Sequence, residues 1–423
     1  MLRKKITIYL SLITLALSIF LIGCSSKDES TGKENNGEKV TIRFSMWDTL
    51  KESETEFIRA FEKKYPNIKI ELVNIPDDYS QKINSMIIGG TAPDVILAWE
   101  ADIPRFSENG AIEALDQYLE NTDEFTMDDF IPAMGELNKT GDKVFGLPWV
   151  YATEFLYYNK DMFDAAAIGY PNADWTWDDY ADAAKKLTIK DGNKTTQWGT
   201  DAISFPGIWY SMIGAAGDDV VDADGNFSLG EGLRKTLEFQ NKLTNIDKVS
   251  PEPSGSGEVA DLFSAGKAAM TRQGNWYIRS YQDAEFNWDI APLPKEERSY
   301  ASLHTGFFSI NSKSKHKDEA WKFIEFMMGD EGQPLLSKMS NNPSARPSIA
   351  ANEDYRVEGK NGPTSWEVFN QSAEFSRFGY VLLNPTITDD LVKQFNAVLL
   401  GQKTIDDVIN IEVPNAQKQL EAQ

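Results

Sequence analysis

Three tryptophans stand beside polar or turn residues at points where strands are predicted to end: Trp47-Asp48, Trp99-Glu100 and Gly274-Asn-Trp276. The flat C–H face of a pyranose stacks on an aromatic ring, while carboxylate, amide and guanidinium groups bind its hydroxyls. The pattern therefore predicts a site for a carbohydrate ligand. Packing in the core is the alternative for each tryptophan taken singly.

The elements that would position these side chains are strands of an open α/β sheet. Val40 to Met46 and Ile68 to Val73 alternate apolar and polar residues, and an amphipathic helix carrying Phe57 and Phe61 separates them. Asp94 to Ala98 is short and continuously apolar, as in a buried strand. These segments predict a parallel sheet covered by helices, in which the carboxyl ends of the strands form a ligand crevice.

A second α/β layer is predicted after the aromatic run Val144 to Tyr158, which we interpret as the first crossing between two lobes. Thr176 and Asp179 form a helix N-terminal cap signal, and Thr404 to Asp407 form another. Gly266 to Trp276 reads as strand, turn and helix, and Gly306 to Ile310 reads as a further strand.

Enzyme and cofactor signals are weak. The chain has one cysteine and two histidines, His304 and His316, so a Ser-His-Asp hydrolase or a histidine-rich metal site would rest on His304 alone. Neither a phosphate-binding GxxxxGK[ST] loop nor a GxGxxG motif is present. The acidic segment Asp218 to Asn226 fails the EF-hand spacing and fits a polar turn better than a calcium loop. We predict a protein without catalytic residues, cofactor or metal.

The amino terminus predicts export and lipidation. Basic residues at positions 3–5, an apolar run from Ile6 to Ile22 and the sequence Leu21-Ile-Gly-Cys24 read as a signal peptide, residues 1–23, closed by a lipobox. Cys24 would carry the lipid, and residues 24–39, which are polar, would form a flexible tether. An uncleaved membrane anchor is the alternative. The predicted location is the extracytoplasmic face of the cell membrane.

The net charge of −23 makes nucleic acid an unlikely partner. Because such a charge is repelled by anionic lipid, the membrane link is predicted to be the lipid anchor alone. We expect a monomer.

Six segments, in this order, resemble the extracellular solute-binding lipoproteins of ABC importers, the large sugar-binding group that includes maltose-binding protein. They are Phe57-Ile-Arg-Ala-Phe-Glu-Lys-Lys-Tyr-Pro66, Gly90-Thr-Ala-Pro-Asp-Val95, Tyr157-Tyr-Asn-Lys-Asp161, Thr176-Trp-Asp-Asp179, Gly266-Lys-Ala-Ala-Met270 with Gly274-Asn-Trp276, and Ala291-Pro-Leu-Pro294. The resemblance covers almost the whole chain after the predicted signal peptide.

The resemblance implies an α/β, two-lobed periplasmic-binding-protein fold with crossing strands and an interlobe cleft that closes over ligand. The lobes would comprise residues 40–150 plus 303–342 and residues 151–302 plus 343–423. It implies ligand contacts by the following residues: Trp47, Asp48, Trp99, Glu100, Tyr151, Trp209, Trp276 and Arg346. Trp276 matches the family's stacking tryptophan, whereas a surface-loop role is the alternative for Arg346.

The predicted function is the capture of a carbohydrate, an oligosaccharide by preference, and its delivery to the membrane subunits of an ABC permease. The alternatives are a secreted glycosidase, which needs only two carboxylates, and a binding protein for a phosphorylated polyol or a polyamine.

Overall fold

The computed structural model describes residues 39–222, 225–253, 261–356 and 359–422. The predicted signal peptide, Cys24 and residues 24–38 of the predicted tether lie outside these ranges. Within them, no helix combines the length and the apolar character that a membrane crossing requires.

Two sheets organise the described chain. Their strands, numbered along the sequence, are β1 Val40–Met46, β2 Ile68–Asn74, β3 Val95–Trp99, β4 Leu147–Pro148, β5 Glu154–Asn159, β6 Met270–Gly274, β7 Trp288–Ala291 and β8 Gly306–Ile310.

The first sheet has the strand order β2-β1-β3-β8-β4. The predicted parallel pairing of β1, β2 and β3 is confirmed, with Val40 opposite Ile68 and Phe44 opposite Val95. The sheet as a whole is mixed, because β8 pairs antiparallel with both β3 and β4. The chain enters β8 after β7 of the second sheet.

The second sheet is antiparallel, in the order β6-β5-β7. Its strand β5 is fully buried along its length, as the aromatic sequence Glu-Phe-Leu-Tyr-Tyr-Asn requires. In the part of the chain that the structure describes, four short strand pairs lie outside the two sheets: Lys139–Thr140 with Lys143–Val144, Ile189–Asp191 with Lys194–Gln197, Val220–Val221 with Phe227–Ser228, and Ala301–Ser302 with Ser376–Arg377.

Helices cover both sheets, and two of the predicted caps are confirmed. Asp179 N–H donates to Thr176 Oγ1 at 3.2 Å, and Thr176 N–H donates back to the Asp179 carboxylate at 2.9 Å; Thr404 and Asp407 form the same reciprocal pair. The α-helices are Glu56–Lys64, Tyr79–Ile88, Asp102–Glu108, Asp116–Leu119, Pro132–Leu137, Lys160–Ala165, Trp177–Leu187, Pro206–Ala215, Glu231–Asn241, Tyr277–Tyr281, Lys317–Met328, Gly332–Ser340, Pro347–Ala350, Val368–Ala373, Pro385–Leu399, Ile405–Asp407 and Val413–Glu421.

Two antiparallel segments connect the lobes built around the two sheets. One runs from β4 to β5 and the other leads into β8. Ala152 and His304 exchange both backbone hydrogen bonds, at 2.9 and 2.8 Å, and Trp149 N–H donates to Gly306 O at 3.1 Å. This pairing holds the carboxyl end of β4 beside the start of β8, so side chains from both lobes meet there.

Candidate ligand-binding site

A cavity of about 690 Å³ opens where the strand ends of the two lobes meet. It lies at the carboxyl ends of β1, β3 and β6 and at the start of β8. Its lining is aromatic with interspersed polar groups: Trp47, Trp99, Trp149, Phe205, Trp276 and Tyr380, together with Asp48, Glu100, Arg279, His304, Thr305 and Asn342.

The first-lobe wall is a tryptophan cluster. Trp47 and Trp99 stack face to face, with ring centroids 3.9 Å apart and planes 9° apart, and Trp149 meets Trp47 edge-on at 5.6 Å. Gly306 allows this arrangement, because a Cβ atom there would lie 2.4 Å from the Trp47 ring. The cluster forms a rigid apolar surface at the strand ends.

The second-lobe wall is Trp276 with Phe205. Trp276 lies between β6 and the helix Tyr277–Tyr281. Its ring folds back over Gly274, where a Cβ atom would lie 2.2 Å from the ring. Its ring meets Phe205 edge-on at 5.0 Å and His304 edge-on at 5.3 Å. Trp276 stays partly exposed, so part of its apolar surface borders the cavity.

Two carboxylates border the cavity in different electrostatic settings. Glu100 is buried, accepts a hydrogen bond from Thr305 N–H, and has its pKa raised to about 7 by burial, against the opposing effect of His304. Asp48 is half-buried, and burial also raises its pKa, against the effect of Arg279, whose Nη1 lies 4.0 Å from the Asp48 carboxylate. Both can accept hydrogen bonds from a hydroxylated ligand.

Five of the eight predicted contact residues line this one cavity: Trp47, Asp48, Trp99, Glu100 and Trp276. Their contacts with a ligand remain a prediction.

The other three predicted contact residues, Tyr151, Trp209 and Arg346, do not line this cavity. Tyr151 is buried in the crossing segment, with its hydroxyl 3.4 Å from Ser376 Oγ. Trp209 is 1% exposed and packs on Phe395 in the second-lobe core. Arg346 is buried because its guanidinium bonds to Met328 O at 2.8 Å and to Asp330 at 3.0 Å.

Several lining residues were not predicted. Trp149 lies in the aromatic crossing run, so its position was signalled although its role was not. His304 precedes a predicted strand, and a polar residue there could have been read as facing the crevice. Asn342 lines the cavity, where Arg346 of the same loop was expected. Phe205, Arg279 and Tyr380 carry no sequence pattern that indicates the cavity.

No group of three or more histidine, cysteine, aspartate or glutamate side chains that could hold a metal occurs within the described ranges. The cavity is therefore defined by rings and hydrogen-bonding groups. An aromatic cavity between two hinged α/β lobes is typical of binding proteins that close around a ligand.

The model of the family described as bacterial extracellular solute-binding protein matches residues 33–334, and the chain belongs to this family. It is 28% identical over 345 residues to the arabinooligosaccharide-binding protein of Bacillus subtilis, covering 78% of this chain and 77% of the relative. It is 25% identical over 381 residues to the galactooligosaccharide-binding protein of the same species, covering 82% of this chain and 84% of the relative.

Solved structures share the fold. An ABC substrate-binding protein of Listeria monocytogenes in complex with cycloalternan matches with a TM-score of 0.79 at 24% identity, over 91% of this chain and 100% of that one. The GacH receptor of Streptomyces glaucescens, solved unliganded and with acarbose, matches with a TM-score of 0.76 at 20% identity, over 91% and 99%. The predicted two-lobed α/β fold is confirmed.

Proposed function

We propose that this protein captures an oligosaccharide in the cavity between its lobes and delivers it to the membrane permease of an ABC importer. The observation that carries the proposal is the pairing of two aromatic walls, Trp47 with Trp99 and Trp276 with Phe205, with carboxylates at their edges. A volume of about 690 Å³ is ample for more than one pyranose ring. The oligosaccharide-binding relatives support the same class of ligand.

Binding without catalysis is part of the proposal, because the family consists of solute-binding proteins. Glu100 and Asp48 then act as hydrogen-bond acceptors for hydroxyls. Aromatic stacking supplies the larger share of affinity, and the polar groups fix which hydroxyl pattern is accepted.

A ligand panel tests the proposal. Thermal melting is measured with arabino-, galacto- and malto-oligosaccharides, and with a phosphorylated polyol and a polyamine as contrasting ligands. A sugar that binds the native state alone should stabilise it by about 2.7 kcal/mol at one hundred times its Kd. Stabilisation by the polyamine or the phosphorylated polyol alone would contradict the sugar assignment, and turnover of a panel sugar would contradict binding without catalysis.

We further propose that the mature protein is held at the cell membrane by a lipid on Cys24, which supports delivery to a permease. Cys24→Ser should remove acylation and release the protein from the membrane fraction, because the tether residues carry no apolar anchor of their own. Fractionation followed by immunoblotting measures this. Quantitative retention of the variant in membranes would indicate that the apolar run from Ile6 to Ile22 is itself the anchor.

A further inference from the structure

A buried carboxylate lies directly behind the cavity. Glu154, the first residue of β5, is 0% exposed. Its carboxylate accepts from Ser211 Oγ and from Ser302 N–H at 3.3 Å, and its Oε1 lies 3.3 Å from His304 Nε2. Gly207 makes room for it, because a Cβ atom there would lie 2.4 Å from Glu154 Oε1. The carboxylate is thus held in one position.

His304 stands between this carboxylate and the cavity. It lines the cavity, is 7% exposed, and its ring meets Trp276 and Phe205 at centroid distances of 5.3 and 5.6 Å. Nε2 is the nitrogen that faces Glu154. The other ring nitrogen, Nδ1, has no hydrogen-bond partner within the part of the chain that the structure describes.

A carboxylate that accepts from one imidazole nitrogen fixes the ring orientation and keeps the proton on that nitrogen. In the neutral ring, the second nitrogen is then an unprotonated acceptor. Core stability alone does not call for such a pair, since a buried ionisable pair can often be replaced by apolar residues without loss of stability.

We propose that His304 is a ligand-contact residue whose Nδ1 accepts a hydrogen bond from a hydroxyl of the bound sugar, and that Glu154 is the positioning residue that holds the proton of the neutral imidazole on Nε2. The inference rests on the proposed function. The titratable groups that face His304 are Glu154 on β5, Glu100 after β3 and the hydroxyl of Tyr380. Two carboxylates around an acceptor nitrogen select neutral hydroxyl groups and disfavour uronate or phosphate oxygens.

Nitrogen NMR of the full chain labelled with ¹⁵N-histidine tests the proposal. The chain has two histidines, so His316 serves as an internal control, and a His316→Phe variant assigns the signals. At about pH 8.5, His304 should show a protonated Nε2 and an unprotonated Nδ1. Adding the panel oligosaccharide with the largest melting shift should move the Nδ1 signal in the direction of an accepted hydrogen bond and leave His316 unchanged.

Glu154→Gln provides the test of positioning. It removes the charge that selects the Nε2–H form, so His304 should become a mixture of tautomers and sugar affinity should fall about tenfold. A variant that keeps both the tautomer and the affinity overturns the role of Glu154. If Nδ1 is protonated in the unliganded wild-type protein at about pH 8.5, the inference is overturned before any ligand is added.

The remaining outcomes separate the inference from the proposed function. If a panel sugar binds and the Nδ1 signal does not move, the inference fails and the proposed function stands. If no panel sugar binds, the proposed function is contradicted, and the sugar contact at His304 with it. If a uronate oligosaccharide binds as tightly as its neutral counterpart, the proposed preference for neutral sugars is overturned.

Discussion

Replacing Trp276 with alanine is expected to weaken sugar binding by about tenfold to a hundredfold or more, and to leave the melting temperature of the unliganded protein nearly unchanged. The indole is partly exposed at the cavity, and its edge contacts with Phe205 and His304 leave apolar surface for a sugar ring. Calorimetric titration measures the affinity, and thermal melting measures the stability.

Trp209→Ala is the matched control, because it removes the same side chain from the core. Trp209 is 1% exposed and packs on Phe395. Its loss should cost about 3 to 5 kcal/mol of unfolding free energy, with affinity retained in the folded fraction. The reverse pattern, in which Trp276→Ala lowers the melting temperature sharply and binds normally, would place Trp276 among the structural residues and remove the main support for the sugar site.

The sequence could predict the parts of the site that depend on local pattern. Trp47 follows the alternating run that predicts β1, and Trp99 ends the continuously apolar run that predicts β3. The carboxyl ends of parallel strands must share one edge of a sheet. The turn at Gly274 marks the end of β6 and so places Trp276 just beyond that strand. To predict the position of each of these tryptophans, only the end of a strand had to be located.

The positions of the predicted residues that do not line the cavity depend on contacts between distant parts of the chain. Trp209 lies in the helix Pro206–Ala215, which is buried on every side, so no apolar face distinguishes core from cavity. The Arg346 guanidinium instead binds Met328 O and Asp330, at the carboxyl end of the helix Lys317–Met328. The antiparallel entry of β8 likewise depends on the return path of the chain, which strand periodicity does not encode.

The buried carboxylate of Glu100, at the edge of the cavity, is expected to lower the unfolding free energy of the unliganded protein at high pH. Burial raises the pKa of its folded form from 4.5 to about 7. The folded protein therefore binds more protons than the unfolded chain between these values, and the stability contribution is present at low pH and is lost as pH rises through the interval. Above about pH 7 the ionised, buried carboxylate costs on the order of 3 kcal/mol. Thr305 N–H is the backbone donor that opposes this cost.

Glu100→Gln should therefore stabilise the unliganded protein by a few kcal/mol at about pH 8, and by much less at about pH 5, since the wild-type carboxyl is neutral there. Sugar affinity should change in the opposite direction, because the ionised carboxylate is the stronger hydrogen-bond acceptor. Wild-type affinity should fall as pH drops below about 7, and this dependence should flatten in the variant.

Melting and calorimetric titration at the two pH values check both halves of the expectation for Glu100, with Glu108→Gln on the exposed first-lobe surface as a charge-matched control. Equal stabilisation at both pH values would show that ionisation is not the cause. If Glu100→Gln is less stable than the wild type at about pH 8, the ionised carboxylate stabilises the folded protein. A more stable variant with weakened binding would identify Glu100 as a group whose charge serves ligand binding, since a bound hydroxyl adds to the compensation that Thr305 N–H gives for its lost solvation.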